Sequence, residues 1–426
     1  MRVVQRWWAV GVLTLGFTAL AQIEVTFWSA PNPPQEVFWR RMAEAYMAEH
    51  PGIKITVSPM PETPTSEAGI LAAIAGGVAP TASENIFIGF GDQLVRSNAV
   101  VPWNNFAGWE GLIEARCMEE AIKGWVFPDG NYYIIPMYVN AMLVAWRIDI
   151  LRELGYTQPP RTYSEVLKVG EDLKTKYPDK FLWLRSELEV PTWWQRWFDF
   201  FVFYYAASGG RPLIAGKEIT ADDKAAVEVL QFFKILRDKN LLITEPLATG
   251  FEGGKTVMTV LGPWTFPWWR ENYPELVYGE TFVLTPPPVP DWYPTGAPVY
   301  TFADAKGVVM YAQATPEQRQ AMWDFIRWVF SAVEHDLIWV QTTGMLPARD
   351  DVSTDPIFMA YIEAKEPALL AYGANIPYAV PPSAHYQYVE IQELMGLECI
   401  YPVLIGELSP EKGWAAWKVA VQALLK

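Results

Sequence analysis

The sequence predicts an α/β protein of two domains, on three observations. A strand, a helix and a strand follow one another at the start in the lengths of a βαβ unit. Once an N-terminal leader is set aside, roughly 400 residues remain, more than one core usually supports. Fifty-one per cent of residues are hydrophobic, enough to fill two cores.

The leader is read from its own pattern. Arg2 and Arg6 are followed by an almost wholly apolar run, Trp7 to Ala21, ending in the small-x-small triplet Ala19-Leu20-Ala21. At roughly 15 residues the run is short for a membrane span. It fits a secretory signal peptide over 1–21, cleaved before Gln22. The junction carries no cysteine, so a lipoprotein anchor is not expected. A location in the periplasm follows.

Ile23 to Trp28 reads as the first strand and Pro31 to Pro34 as a turn. A helix over 35–50 carries Phe38, Met42, Ala45 and Tyr46 on one face, and Pro51-Gly52 stops it. Ile53, Ile55 and Val57 alternate as a second strand. This order implies a parallel sheet. A short helix over 70–75 and a strand over 85–88 follow, with further strands over 132–136 and 142–146. Caps announce later helices. Thr162 with Glu165 and Thr220 with Asp223 fit the capping box, Thr315-Pro316-Glu317-Gln318 fits it with a first-turn proline, and Ser409-Pro410-Glu411 opens the last helix. Pro286 to Pro298 is a proline-rich stretch suited to a linker or a crossover.

Formal charge is −15, and loss of Arg2 and Arg6 with the leader deepens it by two. Such a surface repels phosphate backbones, so no nucleic-acid partner is expected. His50, His335 and His385 lack ligand spacing, and neither a metal nor another cofactor is predicted. Cys117 and Cys399 leave two states open, a single disulfide or two thiols. Gly254-Lys255-Thr256 imitates the end of a phosphate loop, but Thr249 stands where that loop needs glycine. No GxSxG elbow or HExxH motif appears. Aromatics make up 15 per cent of the chain and cluster as Trp193-Trp194, Trp197, Trp264 and Trp268-Trp269. Most of these rings belong to core, yet apolar faces with a polar tip are also what sugar rings stack on.

Ordered blocks then point to a family. They are Phe27-Trp28, His50-Pro51-Gly52-Ile53-Lys54, Ala75-Gly76-Gly77-Val78-Ala79-Pro80, Tyr133 to Tyr138 with Leu151 to Gly155, Pro159 to Glu165, Phe251-x-x-Gly254-Lys255-x-x-Met258 closing in Gly262-Pro263-Trp264, and Gly344 to Pro347. In this order the chain resembles the extracellular sugar-binding proteins of ABC importers, the group that includes maltodextrin-binding proteins. The resemblance implies a two-lobed periplasmic-binding-protein fold of type II-like plan with a hinged interlobe cleft. It places 22–138 and 300–331 in an N-terminal lobe, and 139–299 and 332–426 in a C-terminal lobe. It implies crossovers near 138–140, 298–301 and 331, a carbohydrate ligand, permease subunits as membrane partners, a monomer and no catalysis. Carried over position by position, the ligand-binding candidates are Trp264, Asn140, Phe90, Asp92, Ser29, Glu189, Trp193, Trp194, Asp304 and Tyr386. Receptors for other solutes, a polyamine or glycerol phosphate, and a secreted glycosidase are the competing classes.

Overall fold

Val25, Phe27 and Ser29 turn inward on the strand Ile23–Ser29, as a period of two requires. The chain then climbs the helix Pro33–Glu49, which buries Phe38, Trp39, Met42 and Tyr46. Pro33 and Pro34 occupy its first turn, where a missing N–H costs nothing. It returns along Ile53–Pro59, parallel to the first strand from Ile23↔Ile53 to Ser29↔Pro59. The computed structural model describes residues 22–426. The expected leader over 1–21 lies outside the described residues.

The third strand is Ala82–Ile86, parallel to the first on its other side. It starts three residues before the predicted start and ends two before the predicted end. Asn85 takes a left-handed φ of 68°, and a helix, Ile88–Arg96, already begins at Ile88. Ile135–Ala141 and the long strand Thr301–Tyr311 pair antiparallel, with Asn140 opposite Asp304. Thr301–Tyr311 also lies antiparallel to Ala82–Ile86, completing a seven-stranded sheet.

Only Met142 separates Ile135–Ala141 from the next strand, Leu143–Arg147, which belongs to a different, five-stranded sheet. There it sits between Thr256–Leu261 and Phe282–Thr285. Phe181–Leu184 runs parallel to Thr256–Leu261, and Leu242–Ile243 closes the edge. The proline-rich stretch after Thr285 carries the chain back to Thr301 in the first sheet. The molecule is thus two α/β lobes joined where one strand leaves each sheet.

The capping boxes at Thr162–Glu165 and Thr315–Gln318 form as read, and Ser409 caps the last helix. The box at Thr220 does not. Asp222 caps that helix by accepting from the Ala225 amide at 2.9 Å, while Thr220 Oγ1 donates to the Pro212 carbonyl. Helix Val333–Thr343 packs on Pro33–Glu49, with Trp339 edge-on to Phe38 at 5.1 Å. It therefore rests on the first lobe, although it falls after residue 331. Cys117 and Cys399 are both free thiols, the second of the two states left open.

Candidate ligand-binding cleft

A cleft of about 580 Å³ is lined by residues of both lobes. Its first-lobe wall is the turn after the first strand together with Glu62 and the run from Pro64 to Glu67. Glu84 stands behind that turn, fully buried in the third strand. It accepts from the Ala30 amide at 2.7 Å and from Gln35 Nε2 at 2.9 Å, while Gln35 Oε1 accepts from Asn32. Burial pushes the Glu84 carboxyl up to about 7, against these hydrogen bonds and the nearby Lys306 charge. Asn32 and Gln35 are thereby set as polar groups along the wall.

The second-lobe wall is aromatic. Trp194, Phe198 and Trp264 form an edge-to-face series, with centroids 6.2 Å and 5.9 Å apart and planes near perpendicular. All three keep part of their surface open. Trp193 and Trp197 lie buried beneath, edge-on to each other at 5.2 Å. Trp264 folds back over Gly262. A Cβ on that glycine would lie 2.1 Å from the indole, so Gly-Pro-Trp needs its glycine for contact. Arg185 also lines this wall, yet it is committed to the Gln195 side chain and carbonyl (2.7 and 2.9 Å) and to Glu187 (3.2 Å).

The crossover strands supply the floor: Tyr138, Asp304 and Lys306. Lys306 Nζ lies 3.8 Å from Asp304 Oδ1 and 5.5 Å from the Trp197 ring centre. Burial raises the Asp304 carboxyl, and Lys306 opposes the rise. Glu67 is likewise raised by burial, with Lys306 again among the opposing influences.

Four of the ten candidates line the cleft: Trp264, Trp194, Trp193 and Asp304. The other six do not. Asn140 is wholly buried opposite Asp304, and its amide meets no hydrogen-bond partner among the described residues. Phe90 faces the first-lobe core, because the helix begins at Ile88 and turns it inward toward Phe87. Asp92, on the same helix, pairs with Arg96 at 2.9 Å. Tyr386 is exposed and lies under the Arg96 guanidinium. Ser29 is an inward position of the first strand. Glu189 is held by Arg237 and Thr244. The cleft also contains residues the sequence reading passed over, chiefly Gln35, Glu67, Phe198 and Lys306. Phe198 closes the Trp193–Trp197 cluster, and Lys306 stands two residues beyond Asp304 on one strand, so both had a visible signal. Gln35 and Glu67 had none.

Two α/β lobes joined by paired crossover strands around such a cleft define the class of two-lobed binding proteins. The family of bacterial extracellular solute-binding proteins matches residues 41–366, and the chain belongs to it. Among solved structures, the uncharacterized protein lmo0859 from Listeria monocytogenes EGD-e is 45% identical, with a TM-score of 0.82 over 95% of this chain and 100% of that one. The cyclic alpha-maltosyl-1,6-maltose binding protein from Arthrobacter globiformis is 20% identical, with a TM-score of 0.77 over 95% and 99%. The sugar-binding protein MalE from Xanthomonas citri is 19% identical, with a TM-score of 0.73 over 94% and 97%. The last two share the fold. Among the described residues no helix is long and apolar enough to cross a membrane.

Proposed function

We propose that the protein captures a neutral mono- or oligosaccharide in its cleft, outside the cytoplasmic membrane, and presents it unchanged to the permease of an ABC importer. The observation that carries this reading is the division of the cleft into an aromatic wall and a polar wall. Trp194, Phe198 and Trp264 offer ring faces to the C–H side of a sugar. Asn32, Gln35, Glu67 and Asp304 offer acceptors and donors to its hydroxyls. Both cations at the cleft stand beside carboxylates, Arg185 with Glu187 and Lys306 with Asp304. A phosphate ester would want an uncommitted cationic fork, so glycerol phosphate fits poorly. The fold is shared with the cyclic alpha-maltosyl-1,6-maltose binding protein from Arthrobacter globiformis and with the MalE domain from Bdellovibrio bacteriovorus bound to maltotriose, which agrees with a sugar. Catalysis is not part of the proposal.

Thermal unfolding with a panel of sugars, and with spermidine, tests this. A bound sugar stabilises by mass action, about 2.7 kcal/mol at a hundredfold excess over Kd, and is recovered chemically intact. A panel in which no sugar raises Tm sinks the reading. A rise with spermidine alone transfers it to a cationic solute, and sustained turnover of the sugar transfers it to an enzyme.

A further inference from the structure

Asp304 and Lys306 alternate along Thr301–Tyr311, so their side chains share one face, and both line the cleft. Asp304 is 6% exposed and Lys306 20%. Their charged atoms stand 3.8 Å apart, beyond hydrogen-bond length. Asp304 Oδ1 is buried and meets no donor among the described residues. A buried carboxylate oxygen without a donor is rare and costly, and Asp304 is one of the residues that line the cleft. Beside it, an ammonium reaches the same space with up to three donors. An acceptor and a donor this far apart are too distant to satisfy each other. Two linked hydroxyls can satisfy both, because each hydroxyl donates and accepts.

We propose that Asp304 and Lys306 grip two adjacent hydroxyls of one sugar ring, Asp304 accepting from one and Lys306 donating to its neighbour. They thereby set the specificity of the cleft. The inference rests on the carbohydrate reading and narrows it to rings with a free vicinal diol. It also sets a charge rule. Lys306 shares the cleft lining with Asp304 and Glu67, so carboxyl groups outnumber the one lysine at this end of the cleft. Sugar acids and phosphorylated sugars are rejected there, while the neutral diol is held.

Isothermal titration of the chain without its leader against neutral mono-, di- and trisaccharides identifies the tightest binder. That sugar and its monodeoxy derivatives are then titrated into wild type, Asp304→Asn and Lys306→Met. In wild type, removal of either of two adjacent hydroxyls weakens binding roughly 10- to 100-fold, the range for hydrogen bonds to charged groups. Asp304→Asn and Lys306→Met each weaken the parent sugar by a similar factor. Each variant also becomes indifferent to one of the two deoxy positions. A wild-type scan with no costly adjacent pair overturns the proposal without any variant. So do variants that bind the parent sugar as wild type does, and either result leaves the carbohydrate reading standing. If no sugar of the panel binds wild type, the carbohydrate reading falls and takes the diol grip with it.

Discussion

Gly262 is small because Trp264 lies on it. The contact leaves no room for a methyl group, so the glycine and the indole act as one unit. Trp264→Ala removes a cleft ring and is expected to weaken sugar binding about tenfold or more, since an aromatic contact adds ~0.5–1.5 kcal/mol beyond the area it covers. Gly262→Ala is expected to weaken binding comparably by displacing the same ring. Titration calorimetry checks both, and Gly262→Ala binding with wild-type affinity would show the stack to be irrelevant. At this scale the sequence was legible in part. Trp264, Trp193 and Trp194 stand in a visible aromatic cluster, and the structure brings them to the cleft. Asn140 and Phe90 carry no such mark. One turn of helix or one step of strand register decides whether each faces ligand or core, and sequence spacing does not resolve that step.

Elements built on a clean period were readable, and those carrying buried polar groups were not. The opening strand, helix and strand follow their 2.0 and 3.6 periods and form as expected. Ala82–Ile86 sits centrally in its sheet yet includes Ser83 and Glu84, both fully buried. Ser83 shares a hydrogen bond with the Tyr311 hydroxyl at 2.8 Å, and Glu84 ties back to Ala30 and Gln35. Those partners come from distant positions, so the segment reads as polar until the fold supplies them. Helix Val333–Thr343 depends on a similar arrangement. Asp336 accepts from Arg116 at 3.0 Å and from Arg349 at 3.2 Å, and all three side chains are almost fully buried. Arg116 also donates to the carbonyls of Pro136 and Met137, tying the helix to a crossover strand. Removing the shared anion strands buried Arg116, while Arg349 keeps Asp351 at 2.8 Å. Asp336→Ala is therefore expected to cost about 3–5 kcal/mol, read as a lower denaturant midpoint at unchanged slope. A loss below about 1 kcal/mol would show the network to be dispensable.

Across the whole molecule, length and the βαβ start were enough to read two lobes. The cleft between them was not readable, because its walls come from segments as far apart as Ala30 and Lys306. The hinge that the family resemblance implies would give a global observable. A saturating sugar is expected to lower the radius of gyration in solution scattering, and tight binding at constant radius would argue against closure. Stability as a function of pH is a second one. Burial raises Glu84 from 4.5 to about 7, so the folded chain holds that proton where the unfolded chain has released it. Its stabilising contribution is full below about 4.5 and is lost as pH rises to about 7. Glu84→Gln should remove a fall of order 3 kcal/mol across that window, measured as the difference between the two unfolding curves. Parallel pH profiles for wild type and variant would refute the assignment.

The two sulfurs differ in access, Cys399 being fully buried and Cys117 only partly. Burial raises the thiols of Cys117 and Cys399, and Asp351 adds to the effect at Cys117. Thiol exchange proceeds through the thiolate and needs access, so buried Cys399 should stay silent toward maleimide and Ellman's reagent, while partly exposed Cys117 is the thiol expected to label. That difference is useful to an experimenter. With Cys117 changed to serine, a single cysteine engineered at the lip of either lobe could carry a dye with little background labelling, turning the chain into a reporter of its own opening and closing.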